Sequence, residues 1–336
     1  MAEKVVSNKT LLSVKIARFR DLGLLGFIMI LAVLVQARNH SFLTGENLND
    51  MIVNTAILSI LAVGMMLVIV TRGIDLSIGA TLALSGMVTA MTVSVHQGLH
   101  PVLLILLGTV VGLVCGAIVG LLVSKAAILP IIASLGLMNV FRGLTFMVSG
   151  GKWVSAYQMS PGFKGIATGS ILGINNLVFI AIIIYIVFFY FINHTRTGRQ
   201  IYAVGSNPDS AKISGINISK VLLMVYMIMG ALAGLAGVLW VARFASAQGD
   251  TAMGYEINVI AACVLGGVSI AGGSGKVSGI ILGSLLLGIL NNALPLINVS
   301  PFWQQAIQGV VILVAVLTNV LVKRGVDWNN LMRRKI

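Results

Sequence analysis

Gly272-Gly273-Ser274-Gly275-Lys276 is the stretch of this sequence that comes nearest to a phosphate-binding loop. Such a loop wraps backbone N–H groups around a phosphate, and it needs a glycine where Ile270 stands and a hydroxyl where Val277 stands. The run therefore reads as a tight turn. Any ATP-driven work must draw on another subunit. A nucleophile elbow fails in the same region: Gly267-Val268-Ser269-Ile270-Ala271 has alanine at the second glycine position. The four histidines, His40, His96, His100 and His194, are scattered over loops, and Gly98 and Pro101 make the His96–His100 spacing a turn rather than a metal-binding helix face. Cys115 and Cys263 lie within apolar runs and read as free, buried thiols. No metal site and no nucleophile–base pair emerges, so the chain does not read as an enzyme.

The remaining polar residues point to a pathway rather than to a reaction. Arg142 is the one charge inside an apolar run, where an unpaired arginine costs at least about 2.5 kcal/mol, so it must face protein or water. Asn139, three residues earlier, shares its face, and with Asn54, Asn291, Asn292 and Gln304 these residues form a polar lining whose competing role is interhelical hydrogen bonding. Arg72 and Asp75, three apart, read as a local ion pair, or more sharply as a gate. All nine acidic residues fall in predicted loops or at span ends. Ion-coupled carriers generally bury carboxylates in the membrane, so a secondary carrier is the weaker alternative.

The elements that must position these groups are set by composition. The 336 residues are 58% hydrophobic and 9% charged, with a mean hydropathy of +1.03. A soluble domain carries about a quarter charged residues, so this is an all-α, polytopic integral membrane protein. Ten apolar runs are candidate transmembrane helices: 22–38, 51–71, 78–96, 102–123, 127–149, 171–193, 220–243, 257–271, 277–298 and 302–322. The fifth is interrupted by Pro130 and Arg142, and the eighth runs into Gly266, Gly267, Gly272 and Gly273. Such broken spans are tolerated where backbone lines a cavity, which makes them the place to look for a pathway.

The net charge of +13 belongs to loops rather than to one face, which argues for contact with anionic lipid and against nucleic acid. With a cytoplasmic N-terminus, 17 of the 22 Lys and Arg fall on the cytoplasmic side, and both termini lie there. The division is then a cytoplasmic segment 1–21, in which Leu12, Ile16 and Phe19 read either as one face of an interfacial helix or as part of a disordered basic tail, a transmembrane domain 22–322 and a cytoplasmic tail 323–336. The longest cytoplasmic loop, 194–216, carries Asn207-Pro208-Asp209, an N-cap for a short helix over 209–214 that Gly215 stops. That helix is a peg for a partner's groove.

Thr195, Gly198, Arg199, Tyr202, Ala203, Gly205, Asn207, Ala211, Gly215 and Ile216 make this loop resemble the ATPase-contacting loop of permease subunits in the ribose/xylose/arabinose/galactoside group of ABC importers. Gly73-Ile74-Asp75-Leu76-Ser77-Ile78-Gly79, and Gly254 and Glu256 followed by Ile260-Ala261-Ala262 and Gly266-Gly267, are similar to two further motifs of that group. The resemblance implies a vitamin-B12-importer-like permease fold of about ten spans with halves related by an inverted repeat. It further implies a permease homodimer or heterodimer, a cytoplasmic tandem ATPase subunit that binds the ATP and Mg, an extracytoplasmic sugar-binding protein, and a bacterial inner membrane. Gly198, Arg199, Gly205, Asn207, Ala211, Gly215 and Ile216 become the expected coupling residues. Ribose is the default substrate; Gly150-Gly151-Lys152-Trp153 and Phe302-Trp303 look like relatives that import the furanose autoinducer-2, which is the alternative.

Overall fold

The computed structural model describes residues 23–311 together with 313, 314 and 317. The segment 1–21, the end of the tenth span and the tail 323–336 lie outside the described residues. The described residues are mostly helical. In order come α1 (Gly23–Arg38), α2 (Gly45–Val70), α3 (Ile78–Val95), α4 (Pro101–Ser124), α5 (Pro130–Ser149), the short α6 (Pro161–Thr168), a hairpin of β1 (Ser170–Ile171) and β2 (Ile174–Asn175), α7 (Asn176–His194), α8 (Arg196–Ser206), α9 (Pro208–Ile213), α10 (Ile218–Phe244), α11 (Tyr255–Leu265) and α12 (Val277–Leu296). A last helical stretch begins at 301.

Among the described residues seven helices are long and apolar enough to cross a membrane: α2, α3, α4, α5, α7, α10 and α12. The eighth run of the sequence reading needs correction. Only Tyr255–Leu265, 11 residues, is helical there, a length of about 16 Å against a hydrocarbon core of about 30 Å. Gly267, Gly272 and Gly273 adopt positive φ, a conformation that glycine enters without a Cβ clash, and they turn the chain out of the helix. The fifth run starts at Pro130, which sits in the first turn where its missing N–H is harmless. The sixth starts only at Asn176, because Ile171 to Asn175 belong to the hairpin.

α2 and α10 form the centre. α2 is apolar all round and buried from Thr55 to Val70, as expected of a helix enclosed by others. α10 lies antiparallel to it, Asn54 meeting Arg243 at one end and Gly64 meeting Met229 further along. Each central helix packs against the pair of helices that follows the other: α10 against α3 and α4, α2 against α11 and α12. The α4–α10 seam is the closest. Gly108, Gly112, Gly116 and Gly120 recur every fourth residue on α4, and a Cβ on Gly112 or Gly116 would collide with the backbone of Gly230, Gly234 or Tyr226. With lipid as apolar as leucine, helices in a bilayer gain by such close backbone approach rather than by water exclusion. The outward faces of α4, α5 and α7 show Leu103, Val110, Ile132, Met147, Ile186 and Phe189.

Candidate functional site

Two regions gather the polar residues, one at each end of the bundle. At the first, α8 and α9 form a helix–turn–helix set against the end of α2. The sequence predicts a loop carrying one short helix; two helices stand there. Thr195 caps α8 by accepting from the Gly198 amide at 3.0 Å, and Asn207 caps α9 by accepting from Ser210 at 3.1 Å. Gly215, at φ +77°, closes α9, and the Ile216 amide donates to the Ala211 carbonyl at 3.0 Å. In sequence the glycines of α8 look like loop punctuation. They are contact points: a Cβ on Gly198 would strike the carbonyls of Phe191 and Ile192, and one on Gly205 the carbonyl of Val70.

Arg72 and Asp75 each find a partner other than the other. Arg72, at φ +67°, sends Nε to the Gly205 carbonyl and Nη2 to the Ser206 carbonyl, both at 2.6 Å. It thereby holds the carbonyl end of α8, where the helix dipole favours a cation. The 266–276 turn closes the same junction: the Gly273 amide donates to the Val70 carbonyl at 2.9 Å and the Tyr202 hydroxyl to the Gly275 carbonyl at 2.6 Å. Burial pushes the Tyr202 phenol up, so it remains a donor at neutral pH. Of the residues expected to couple, Gly198, Gly205 and Ala211 are buried, Ile216 is half-buried, and Arg199, Asn207 and Gly215 face out. The sequence reading passed over Ile213, which stands 88% exposed at the tip of α9; an aliphatic residue beside a helix stop was its only signal.

At the opposite end a cavity of about 380 Å³ opens between α2, α10, α11 and α12. Asn54, Asn291 and Asn292 line it together with Trp240, Arg243, Phe244 and Tyr255. Arg243 Nη2 donates to Asn54 Oδ1 at 3.1 Å, Asn292 exchanges amide hydrogen bonds with Asn47 at 3.0 Å, and Gln308 donates to Asn291 at 2.7 Å. Trp240 stacks edge-on with Tyr255 at 5.1 Å and against Phe244 at 4.9 Å. α12 approaches α2 closely beside the cavity: a Cβ on Gly288 would strike the Thr55 side chain. Aromatic faces beside amides and one guanidinium suit an uncharged polyhydroxyl ligand held by several weak hydrogen bonds. Trp240 and Arg243, three apart and so on one face of α10, were the missed signal.

The other expected lining residues lie elsewhere. Arg142 Nη1 donates to the Gly249 and Thr251 carbonyls at 2.9 and 2.7 Å, satisfying backbone in the non-helical 245–254 segment. Asp250 and Glu256 lie within its electrostatic reach. Asn139 turns outward and donates to its own helix at Leu135, and Gln304 donates to Val299. The two interrupted runs nevertheless meet, since Arg142 of α5 holds the segment that leads into α11. The N-terminus of α3 comes to the same place: a Cβ on Gly79 would lie 2.7 Å from both the Ala252 carbonyl and Glu256 Oε2. Asp75 lies in the non-helical 71–77 connection, at a span end as the sequence predicts, yet it is 2% exposed.

Residues 47–316 match the family described as "Branched-chain amino acid transport system / permease component". The chain is 43% identical over 291 residues to the ribose import permease protein RbsC of Bacillus subtilis (strain 168), covering 86% of this chain and 89% of that relative. It is 40% identical over 294 residues to RbsC of Escherichia coli (strain K12), covering 87% and 91%. It is 36% identical over 304 residues to the D-allose transport system permease protein AlsC of the same strain, covering 89% and 92%. No solved structure matches it.

Proposed function

The chain belongs to the branched-chain amino acid transport system permease family, and from that premise we propose that it is the membrane-spanning subunit of an ATP-driven importer for a pentose-type sugar, ribose by default. The observation that carries this is the likeness to ribose import permeases over nearly the whole of both chains. The two polar regions suit the two tasks. The cavity at one end offers amides, Arg243 and aromatic faces to a sugar. The α8–α9 unit at the other end offers Arg199, Asn207, Gly215 and the exposed Ile213 to a cytoplasmic ATPase, with Gly198, Gly205 and Ala211 fixing its seat on the bundle. On this reading ATP and magnesium belong to that ATPase, an extracytoplasmic binding protein delivers the sugar, and two permease copies complete the path.

Sidedness follows from the basic loops, with the α8–α9 end in the cytoplasm. The junction built by Arg72, Val70, Gly205, Gly273 and Tyr202 then ties the ATPase-facing unit to α2, whose other end lines the sugar cavity, and to the turn that joins α11 and α12. The test is uptake of labelled ribose by cells that carry the permease with its ATPase and binding protein, challenged with unlabelled allose and arabinose. Uptake that stops on ATP depletion and persists with an ionophore supports the importer. Uptake that follows the ion gradient, or a purified permease that carries sugar alone without ATP, refutes it.

A further inference from the structure

Asp75 sits in the 71–77 segment that leads from α2 into α3, and it accepts at one carboxylate oxygen from the Ser77 amide at 2.8 Å and the Ser77 hydroxyl at 2.6 Å. The basic side chain of that segment, Arg72, is spent on the carbonyls of Gly205 and Ser206. Among the described residues no other cation relieves Asp75; Ser77 supplies all its compensation. A bare charge in that position is strongly disfavoured, because water is gone and no counter-charge replaces it. Helices α4, α5 and α10 surround it. Ser134 of α5 spends its hydroxyl on the carbonyls of Pro130 and Ile74. The titratable groups within electrostatic reach on the other two are Cys115 of α4 and Tyr226 of α10, neither of which bears positive charge.

Tyr226 supplies the second observation. It is 0% exposed, and its hydroxyl has no hydrogen-bond partner among the described residues. That hydroxyl lies over Gly73, 2.5 Å from where a Cβ would stand, two residues from Asp75. A buried hydroxyl left unpaired is uncommon, because nothing replaces the hydrogen bond it made to water. The two defects are complementary: the carboxylate lacks a positive charge and the phenol oxygen lacks anything to bind.

We propose that Asp75 and Tyr226 together bind one small monovalent cation, a proton or a sodium ion, between the 71–77 segment and α10. As a proton, it turns the carboxyl into a donor toward the phenol oxygen. As sodium, it takes the carboxylate and phenol oxygens as ligands, with no covalent change in either. Burial also pushes the Asp75 carboxyl above the ordinary carboxylate range, in the direction that retains a proton. The inference is independent of which sugar is carried, and its readout is stability rather than uptake.

The full-length permease in lipid nanodiscs is the sample. Its thermal unfolding is measured in sodium chloride against choline chloride at equal ionic strength, then in choline from neutral to alkaline pH, with the infrared carbonyl band of a protonated carboxyl recorded in parallel. A sodium site raises the midpoint in sodium only. A proton site shows the carboxyl band at neutral pH and stability that falls as pH climbs through the raised folded value of Asp75. Asp75→Asn abolishes whichever response is seen, and Tyr226→Phe shifts its midpoint about tenfold, the weight of one hydrogen bond. Wild type with neither response overturns the proposal, as does an asparagine variant that keeps the wild-type response. Should Asp75→Asn fail to fold, an unshifted midpoint in Tyr226→Phe overturns it.

Discussion

Replacing Arg72 with alanine removes two charge-assisted hydrogen bonds at 2.6 Å while leaving the helices that frame the junction untouched. The bond to Gly205 is partly buried, and a hydrogen bond from a charged group contributes about 1.5–3 kcal/mol there. The bond to Ser206 is exposed and contributes well under about 1 kcal/mol after solvent screening. Arg72 holds φ +67°, and alanine bears the same backbone strain as arginine, so the two losses are not offset. Docking of α8 on the end of α2 therefore weakens by about 2–3 kcal/mol, on the order of 30- to 150-fold in the opening equilibrium. Hydrogen exchange of the α8 amides, followed by mass spectrometry on the nanodisc-embedded permease, reads this directly. The expected result is faster exchange confined to 196–206 and the 272–276 turn. In proteoliposomes holding the ATPase, ATP hydrolysis should survive while sugar uptake falls. Exchange in α8 that changes less than about threefold, with uptake intact, refutes the assignment of Arg72 as the residue that holds α8 to α2.

Four further outcomes follow from the same contacts. Gly112→Leu drives a side chain into the Gly230–Gly234 backbone of α10, and overpacking of this kind costs at least about 1–3 kcal/mol, so the yield of folded, detergent-stable protein should collapse; normal yield refutes the seam. Ile213→Asp, at an 88% exposed site, should leave the unfolding midpoint unchanged and abolish co-purification with the ATPase. Arg243→Ala frees Asn54 and opens the cavity, raising the KM for uptake about tenfold or more without a change in thermal midpoint; an unchanged KM removes this residue from the path. Tyr202→Phe loses the bond to Gly275 and about 1 kcal/mol. Because the folded phenol lies above its ordinary value of 10.0, its contribution is full below that pH and fades as pH rises through the folded value. Wild type and variant should therefore converge in stability at strongly alkaline pH, as monitored by thermal unfolding.

Membrane class, the seven long apolar helices and the absence of nucleotide, nucleophile and metal motifs followed from the residues one at a time, because in a bilayer each apolar run must satisfy its own backbone and so declares itself locally, whereas the glycine-broken eighth run did not. The caps of α9 were legible for the same reason: Asn207, Pro208 and Gly215 act on neighbours within one turn. Glycine was the ambiguous letter. Gly198 and Gly205 look like loop punctuation in one dimension, and only the carbonyls of Ile192 and Val70 pressing on them show that they permit a helix to dock. Arg142 and Asn139 shared a helix face by spacing, yet one reaches across to Gly249 and Thr251 while the other faces outward. Spacing states which residues share a face and not what that face meets.

What the sequence by itself determined is the solvent of the protein, the order of its helices and the residues free to carry polar contacts, since those depend on runs of side chains against water or lipid. Only the tertiary structure decided that Asn54, Arg243, Asn291 and Asn292 line one cavity, that Arg72 serves α8 rather than Asp75, and that Asp75 lies in the interior. Each of these depends on two or more segments far apart in the chain arriving at one point, and the energy that brings them there is backbone-close packing along α4, α10, α2 and α12, a property of pairs of helices that no single helix displays.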